Sequence, residues 1–582
     1  MAINLSTLRF TNKADIVPAS ETAEIVNTGI ANTLAGNDRI TGTSTKASND
    51  SEFSIGIRND GTINTDTGND KIDGSGSSFG IRSDGGNINT DTGKDIITGS
   101  GGEFGMGIYT FNATINTGDN NDTITATGGD VGIRSDSSNI NTGDGKDTIT
   151  ATGGTGILNN QGIINTGDGK DTITATANHG FFRTGIRNGY GKIDTGNGND
   201  TITATGSNGL TGFGIENYGK IDTGNGNDTI TATGTGTTNN DDIYNSGIYN
   251  LGIIDTGAGN DTIIGTGSND GIYNGSKINT GTGRDTIIGS GGNTGIYNGG
   301  AIDTGTSSDT ITGTSTKSFG ILNYGTINTG NGSDTITGTG NGGILNNINS
   351  SINTGAGDDK ITGTSSTNIS TDRATTGIFN SGTIDTDTGD DWIAGTGGSD
   401  IGIFNVRTIN TGDGNDIITG IGSTGIANII DSSGISGTID TGAGNDIITG
   451  VSLVATQPGI SNDGTINTGA GNDIVDALKG GFGNQNQNDT SIYLLGTGND
   501  IIKGFGTGRF DGGNNRDTLL FGTGTYTVSG STNGNGFYTI SLGSTDMLVK
   551  NFEFIGDASD PTTAFSFSNV IGSTFTFPVL IG

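Results

Sequence analysis

The sequence predicts an all-β fold, a three-sided parallel β-solenoid of about 18–19 coils closed by a C-terminal β-rich cap. Three observations predict it. "INTGDGKDTITATGG" at 140–154 returns as "INTGDGKDTITATAN" at 164–178, a basic coil of 24 residues. Within that coil isoleucine recurs at intervals of 7, 9 and 8, at Ile133, Ile140, Ile149 and then Ile157. Finally, 113 Gly, 4 Pro and only 29% apolar residues among 582 leave no material for an ordinary globular core.

The elements follow in chain order. Residues 1–26 are expected as an N-terminal cap, 27–505 as the solenoid and 506–582 as the C-terminal cap. Inside the solenoid, apolar intervals broken by Gly and Asn suit three short strands and three corners, whereas helices need longer periodic runs. Side chains alternate along a strand, so each Ile points inward and its neighbours outward. Stacking then sets Ile on Ile from coil to coil. Longer spacings are the same unit with insertions, at 43–54, 235–245 and 365–375.

One corner ends in an acid every time. Asp closes the glycine turn at 19 positions, from Asp38 to Asp517. Stacked carboxylates about 5 Å apart repel by about 1 kcal/mol per pair even in bulk water. Summed along the edge, that rivals the net stability of a typical domain, about 5–15 kcal/mol. A hard cation suits carboxylate and backbone carbonyl oxygens, and Ca2+ accepts six to eight of them with looser geometry than magnesium. The formal charge of −34 agrees, excluding nucleic acid and anionic membrane as partners and favouring cations. The alternative is an Asp that only caps a tight turn.

"TGDGKDTIT" at 142–150 and "TGNGNDTIT" at 195–203 resemble the nonapeptide of RTX (hemolysin-type) calcium-binding repeats. The complete G-x-G-x-D form ends at Asp147, Asp171, Asp200, Asp228, Asp261, Asp285, Asp334, Asp359, Asp416, Asp446, Asp473 and Asp500. The resemblance implies calcium between consecutive turns, held by these carboxylates and by carbonyls of the glycine segment. It also implies secretion through a type I exporter with an uncleaved C-terminal signal. The N-terminus lacks an apolar signal region, in keeping with that route. This chain departs from the family in carrying one motif per coil rather than two. Asp66, Asp91 and Asp387 replace the first Gly, and Asn120 and Ser307 the second; Lys94, Lys146, Lys170 and Arg284 precede the Asp and could compete with a cation.

The other faces carry their own patterns. "GIxN" recurs, as at 56–59 and 271–274, and its Asn is expected in a buried amide ladder. The residue between Ile and Asn should face out. Arg58, Arg82, Arg134 and Arg187 hold it early, then Tyr249, Tyr273, Tyr297, Leu322, Leu345, Phe379 and Phe404, a candidate assembly stripe unless the rings only stack on one another. "DTITAT" at 122–127, 147–152 and 171–176 turns threonines outward, as in ice-binding solenoids, although Thr is common on any exposed strand.

The functional expectation is a secreted, Ca2+-binding structural protein of a bacterial cell surface, assembling into a layer, sheath or fibre as a homo-oligomer. An adhesin-like protein that grips cell-surface polysaccharide is the alternative, and an ice-binding protein the third. No enzyme is expected: the single histidine, His179, lies in an insertion and there is no Cys. No apolar run is long enough to insert into a membrane.

Overall fold

The computed structural model describes residues 2–18, 23–44, 53–178, 183–209, 212–236, 245–366, 375–431, 433–484 and 491–577. His179, most of the three expected insertions and the last five residues of the expected export signal lie outside them. The chain divides into two compact units, Met1–Ile296 with Gly300–Gly305, and Tyr297–Gly299 with Thr306–Gly582. Nothing in the composition marks that division.

Both units are parallel β-solenoid, and the chain makes about 18 turns. In the first unit a coil runs through Val131–Asp136, Asn139–Asn141 and Thr148–Gly153. The next coil pairs with it in parallel, Ile133 with Ile157, Ile140 with Ile164 and Ile149 with Ile173. All six isoleucines are fully buried. Three such side chains per coil, each contributing about 1.5–3 kcal/mol when buried, build the core. In the strand Thr148–Gly153, Ile149, Ala151 and Gly153 face in while Thr148, Thr150 and Thr152 face out.

The second unit repeats the scheme, with Phe319–Asn323, Gly342–Asn346, Ile378–Asn380, Ile403–Asn405 and Ile426–Asn428 paired in parallel. The parallel stack continues beyond residue 505, through Thr518–Phe521 onto Phe554–Asp557. Antiparallel strands then finish it: Gly524–Val528 pairs with Tyr538–Leu542 and with Thr574–Phe577, and Phe554–Asp557 with Asp560–Ser566. Tyr526, Phe537, Ile540 and Met547 are buried among these strands. Ile3–Asn4 pairs in parallel with Ile25–Asn27, and Ile16–Val17 with Arg39–Thr43, so the segment expected as a cap also contributes parallel strands to two of the three faces. Leu5–Thr7 and Phe567–Asn569 are short 3-10 turns, and among the described residues no helix is long and apolar enough to cross a membrane.

The GIxN asparagines form the expected ladder. Asn159 donates through Nδ2 to Asn188 Oδ1, Asn188 to Asn217, and Asn217 to Asn250, at 2.8–2.9 Å, and in the second unit the chain runs from Asn298 to Asn462. Each Nδ2 also reaches a backbone carbonyl, as Asn217 does to Ile253 at 3.0 Å, so these amide N–H groups are satisfied, while Asn159 Oδ1, which follows Ser135 in the stack, has no partner. Asn217→Leu leaves Asn250 Oδ1 only the 3.3 Å bond from the Gly252 N–H and removes the side-chain acceptor of Asn188. We expect a loss of about 2–3 kcal/mol, read as a lower thermal unfolding midpoint.

Candidate metal-binding ladder

The glycine turn is built by backbone geometry that few residues accept. Its first Gly sits in the left-handed region, at φ 81° for Gly143 and 80° for Gly167. The departures from the motif keep that conformation: Asp66, Asp91 and Asp387 adopt φ 55°, 69° and 64° at the first position, and Asn120 and Ser307 adopt 89° and 93° at the second. Asp and Asn tolerate this region better than other side chains, which explains why the turn survives them. At the second Gly the constraint is space. A Cβ on Gly169 would overlap the carbonyl oxygen of Gly145, one on Gly198 that of Gly169, and one on Gly226 that of Gly198. The carbonyl of each turn abuts the glycine of the next.

Against this column the Asp side chains point inward. All twelve motif aspartates, from Asp147 to Asp500, are buried. Each Oδ1 accepts from the backbone N–H of the Asp one coil earlier: Asp122 to Asp147 at 2.7 Å, Asp147 to Asp171 at 2.7 Å, Asp171 to Asp200 at 2.7 Å, Asp228 to Asp261 at 2.8 Å. In the second unit the same bond runs from Asp309 to Asp334 at 2.7 Å and onwards to Asp473 and Asp500 at 2.8 Å. Oδ2 is different. In Asp147, Asp171, Asp200, Asp228, Asp261, Asp334, Asp359, Asp416, Asp446, Asp473 and Asp500 it is buried without a hydrogen-bond partner. The buried Thr five residues upstream lies beside it and steadies the charge, yet Thr142 Oγ1 is also 3.4 Å from the Thr166 carbonyl. At Asp38 the Thr33 hydroxyl donates to Oδ2, and the hydroxyls of Thr223, Thr354 and Thr411, which have no other partner, offset part of the charge of Asp228, Asp359 and Asp416.

Burial therefore dominates the titration. It pushes Asp147 and Asp171 up to about 6, and Asp200, Asp261, Asp359, Asp416, Asp473 and Asp500 up to about 7. Asp228, Asp285, Asp334 and Asp446 are raised for the same reason, and the donated N–H offsets only part of it.

Several partners escape a reading of the motif alone. Asp38, Asp70, Asp95, Asp122, Asp309, Asp391 and Asp517 occupy the same ladder without a complete G-x-G-x-D. Its ends are closed by Asp15, whose N–H donates to Asp38 Oδ1 at 2.7 Å, and by Glu553, whose Oε2 accepts from the N–H of Asp517 at 2.8 Å. The residue before each Asp forms a second, exposed ladder of opposite sense, as in Asn227 N–H to Asn199 Oδ1 at 2.9 Å. The N–H groups of Lys94, Lys146 and Arg284 donate into it, and the side chains of these three and of Lys170 are exposed rather than turned into the carboxylate column. No group of three Asp, Glu, His or Cys converges among the described residues. A cation on this edge would take carboxylate Oδ2 atoms and complete its shell with backbone oxygens. The orphaned oxygens and the abutting carbonyls fit a hard, oxygen-seeking ion.

In the aromatic stripe Tyr249 stacks on Tyr273 with centroids 4.9 Å apart, and Phe379 on Phe404 at 4.9 Å. Tyr249, Tyr273, Tyr297, Leu322, Leu345 and Phe379 are half-buried, and Phe404 is buried against Val406 and Ala427. The stacking foreseen as the alternative is present between these rings, while the stripe up to Phe379 keeps part of its surface exposed. On the threonine face the register is continuous in the first unit: Thr123, Thr148, Thr172, Thr201 and Thr229 align, as do Thr125, Thr150, Thr174, Thr203 and Thr231.

Neither the family models nor the curated proteins compared with the chain give a match. Among solved structures the chain is similar to a hyperactive, Ca2+-dependent, β-helical antifreeze protein from an Antarctic bacterium, at 16% identity, covering 71% of this chain and 83% of that one, with a TM-score of 0.27. Likeness at that level carries no argument about function.

Proposed function

We propose that the protein is a secreted, calcium-stiffened structural solenoid of RTX type at a bacterial surface, and not an enzyme. The observation that supports this reading is the column of buried, unpartnered Oδ2 atoms in the turns whose glycine carbonyls abut from coil to coil. Such a column is costly unless its charge is neutralised. Calcium bound between successive aspartates would supply that charge. Scarce in the cytoplasm and abundant outside, it would also delay folding until after export. Antiparallel strands cover the C-terminal end of the stack. Assembly into a layer or fibre would accordingly proceed by lateral contact between copies rather than end to end.

Far-UV circular dichroism of EGTA-stripped protein during a calcium titration tests the ladder, with magnesium as control. A calcium-specific coil-to-β transition is expected. Full β signal before any calcium is added would overturn the folding role. Negative-stain microscopy of the calcium-loaded protein tests assembly, where filaments or sheets are expected and a dispersed monomer would refute it.

A second reading rests on the threonine face, whose aligned, outward Thr columns make a flat, regular hydroxyl surface. If that surface binds ice, the folded protein will shape ice crystals. Round, unshaped crystals would remove this reading.

A further inference from the structure

A groove in the first unit has the makings of a binding site. It is a cavity of about 470 Å3, inside the roughly 300–1,000 Å3 range of small-ligand sites. It spans four coils and is lined by Arg134, Asp136, Leu158, Asn160, Arg187, Gly189, Tyr190 and Tyr218.

The groove arises where the corner changes length. Ile193 follows Asn188 by five positions, whereas Ile221 follows Asn217 by four. The longer corner needs a residue in the left-handed region, supplied by Ser137 at φ 48°, Gln161 at φ 58° and then Tyr190 at φ 61°. A bulky aromatic residue is a costly choice there. Tyr190 is nevertheless 75% exposed, its ring 6.0 Å from that of Tyr218 across the step between corners. Folding gains little from so exposed a ring, and Gly would satisfy the same backbone.

The polar lining supplies the rest. Asp136 is only 7% exposed, and its Oδ1 has no hydrogen-bond partner. Its Oδ2 accepts from Arg134 Nε at 2.8 Å. Arg187 Nε lies 3.4 Å from Glu216, which also accepts from the Tyr218 hydroxyl at 2.9 Å. Each guanidinium has five N–H donors, more than these contacts use. Two cations beside two carboxylates leave no net charge to attract an anion, and the remaining guanidinium N–H groups donate to neutral oxygens.

We propose that this groove binds a neutral glycan, with a pyranose ring laid on the Tyr190–Tyr218 platform and ring or hydroxyl oxygens accepting from Arg134, Arg187 and Asn160. Aromatic faces with a few convergent polar groups suit a ring that has one apolar face and a polar rim. The site does not depend on what fills the aspartate ladder.

Cellohexaose, xylohexaose, mannohexaose and maltohexaose serve as probes, by ligand-observed NMR and calorimetry in millimolar calcium, with circular dichroism confirming the fold. At least one should bind, with affinity falling about tenfold or more in Tyr190→Gly and in Tyr218→Ala. Tyr190→Gly is the decisive variant, because relief of the backbone should hold or raise its unfolding midpoint while binding is lost. The proposal is overturned if none of the probes binds at millimolar concentration, or if both variants bind as the parent does. Binding confined to polygalacturonate and abolished by Arg187→Gln would equally overturn it, by showing a site for acidic sugars.

Discussion

Stripped of divalent cations, the protein is expected to lose stability steadily as pH rises from about 4 to 8, and calcium to restore more of that stability the higher the pH. The sign comes from burial. Unfolded aspartates titrate near 3.9, while the ladder carboxyls titrate at about 6 in Asp147 and Asp171 and at about 7 in Asp200, Asp261 and Asp473. Between those limits the folded state holds protons that the unfolded state has released. The stability they confer is complete below about pH 4 and is lost as pH climbs through the folded pKa values.

Calcium inverts the trend because it needs the ionised carboxylate that protons would otherwise neutralise. Each site filled at a hundredfold over its Kd adds about 2.7 kcal/mol. Several sites together match the whole stability of a domain, so at pH 8 the protein should show an unfolding transition only with calcium, whereas towards pH 5 the protonated ladder should fold in EDTA and calcium should add little. Thermal melts at the two pH values, in EDTA and in calcium, decide the matter. Equal decline with pH in both media would mean that protons alone neutralise the ladder, and the calcium reading would fail.

The sequence made the solenoid legible because its core is one-dimensional. Ile133, Ile140 and Ile149 can all be buried only if three strands close a coil, and their return 24 residues later leaves no other packing. The Asn ladder was equally visible, since an Asn two places after an inward Ile in most coils must find its amide partners in the next, though Ser83, Thr110 and Ser135 interrupt it. The direction of the aspartates was not. Spacing places Asp147 at the end of a turn but does not say whether its carboxylate faces solvent or the N–H of Asp122, a choice made by the buried backbone of the neighbouring coil. Glu553 was invisible for a related reason: it closes the ladder from 36 residues away and belongs to no repeat. The Tyr190 groove depends on a difference of one residue between adjacent corners, which a search for what repeats passes over. The stacking of Phe379 on Phe404 was foreseeable as a possibility but not as an outcome, because outward position and exposure are separate properties.

Gly198→Ala should be among the most damaging single substitutions in the first unit, and Gly85→Ala among the mildest at a left-handed glycine. The contrast separates two reasons for glycine. Gly85 sits at φ 66° with nothing within 4 Å of an added methyl, so Ala costs only the strain of the left-handed region, about 1–2 kcal/mol. At Gly198 the added carbon would overlap the Gly169 carbonyl oxygen and come 3.1 Å from Asp200 Oδ1. Relief requires the two turns to part, which breaks the 2.7 Å bond from Asp171 to Asp200 and exposes a carboxylate column on both sides. A loss above about 4 kcal/mol is expected, the range reserved for a broken buried network. The Gly198 variant should also need more calcium to fold, since the oxygens proposed to hold the ion have moved, while the Gly85 variant should fold at the parent's calcium concentration. Midpoints measured at saturating and at limiting calcium read both effects. If Gly198→Ala matches Gly85→Ala in each, the turns are free to separate, and the close stacking of glycine and carbonyl is not what holds the ladder.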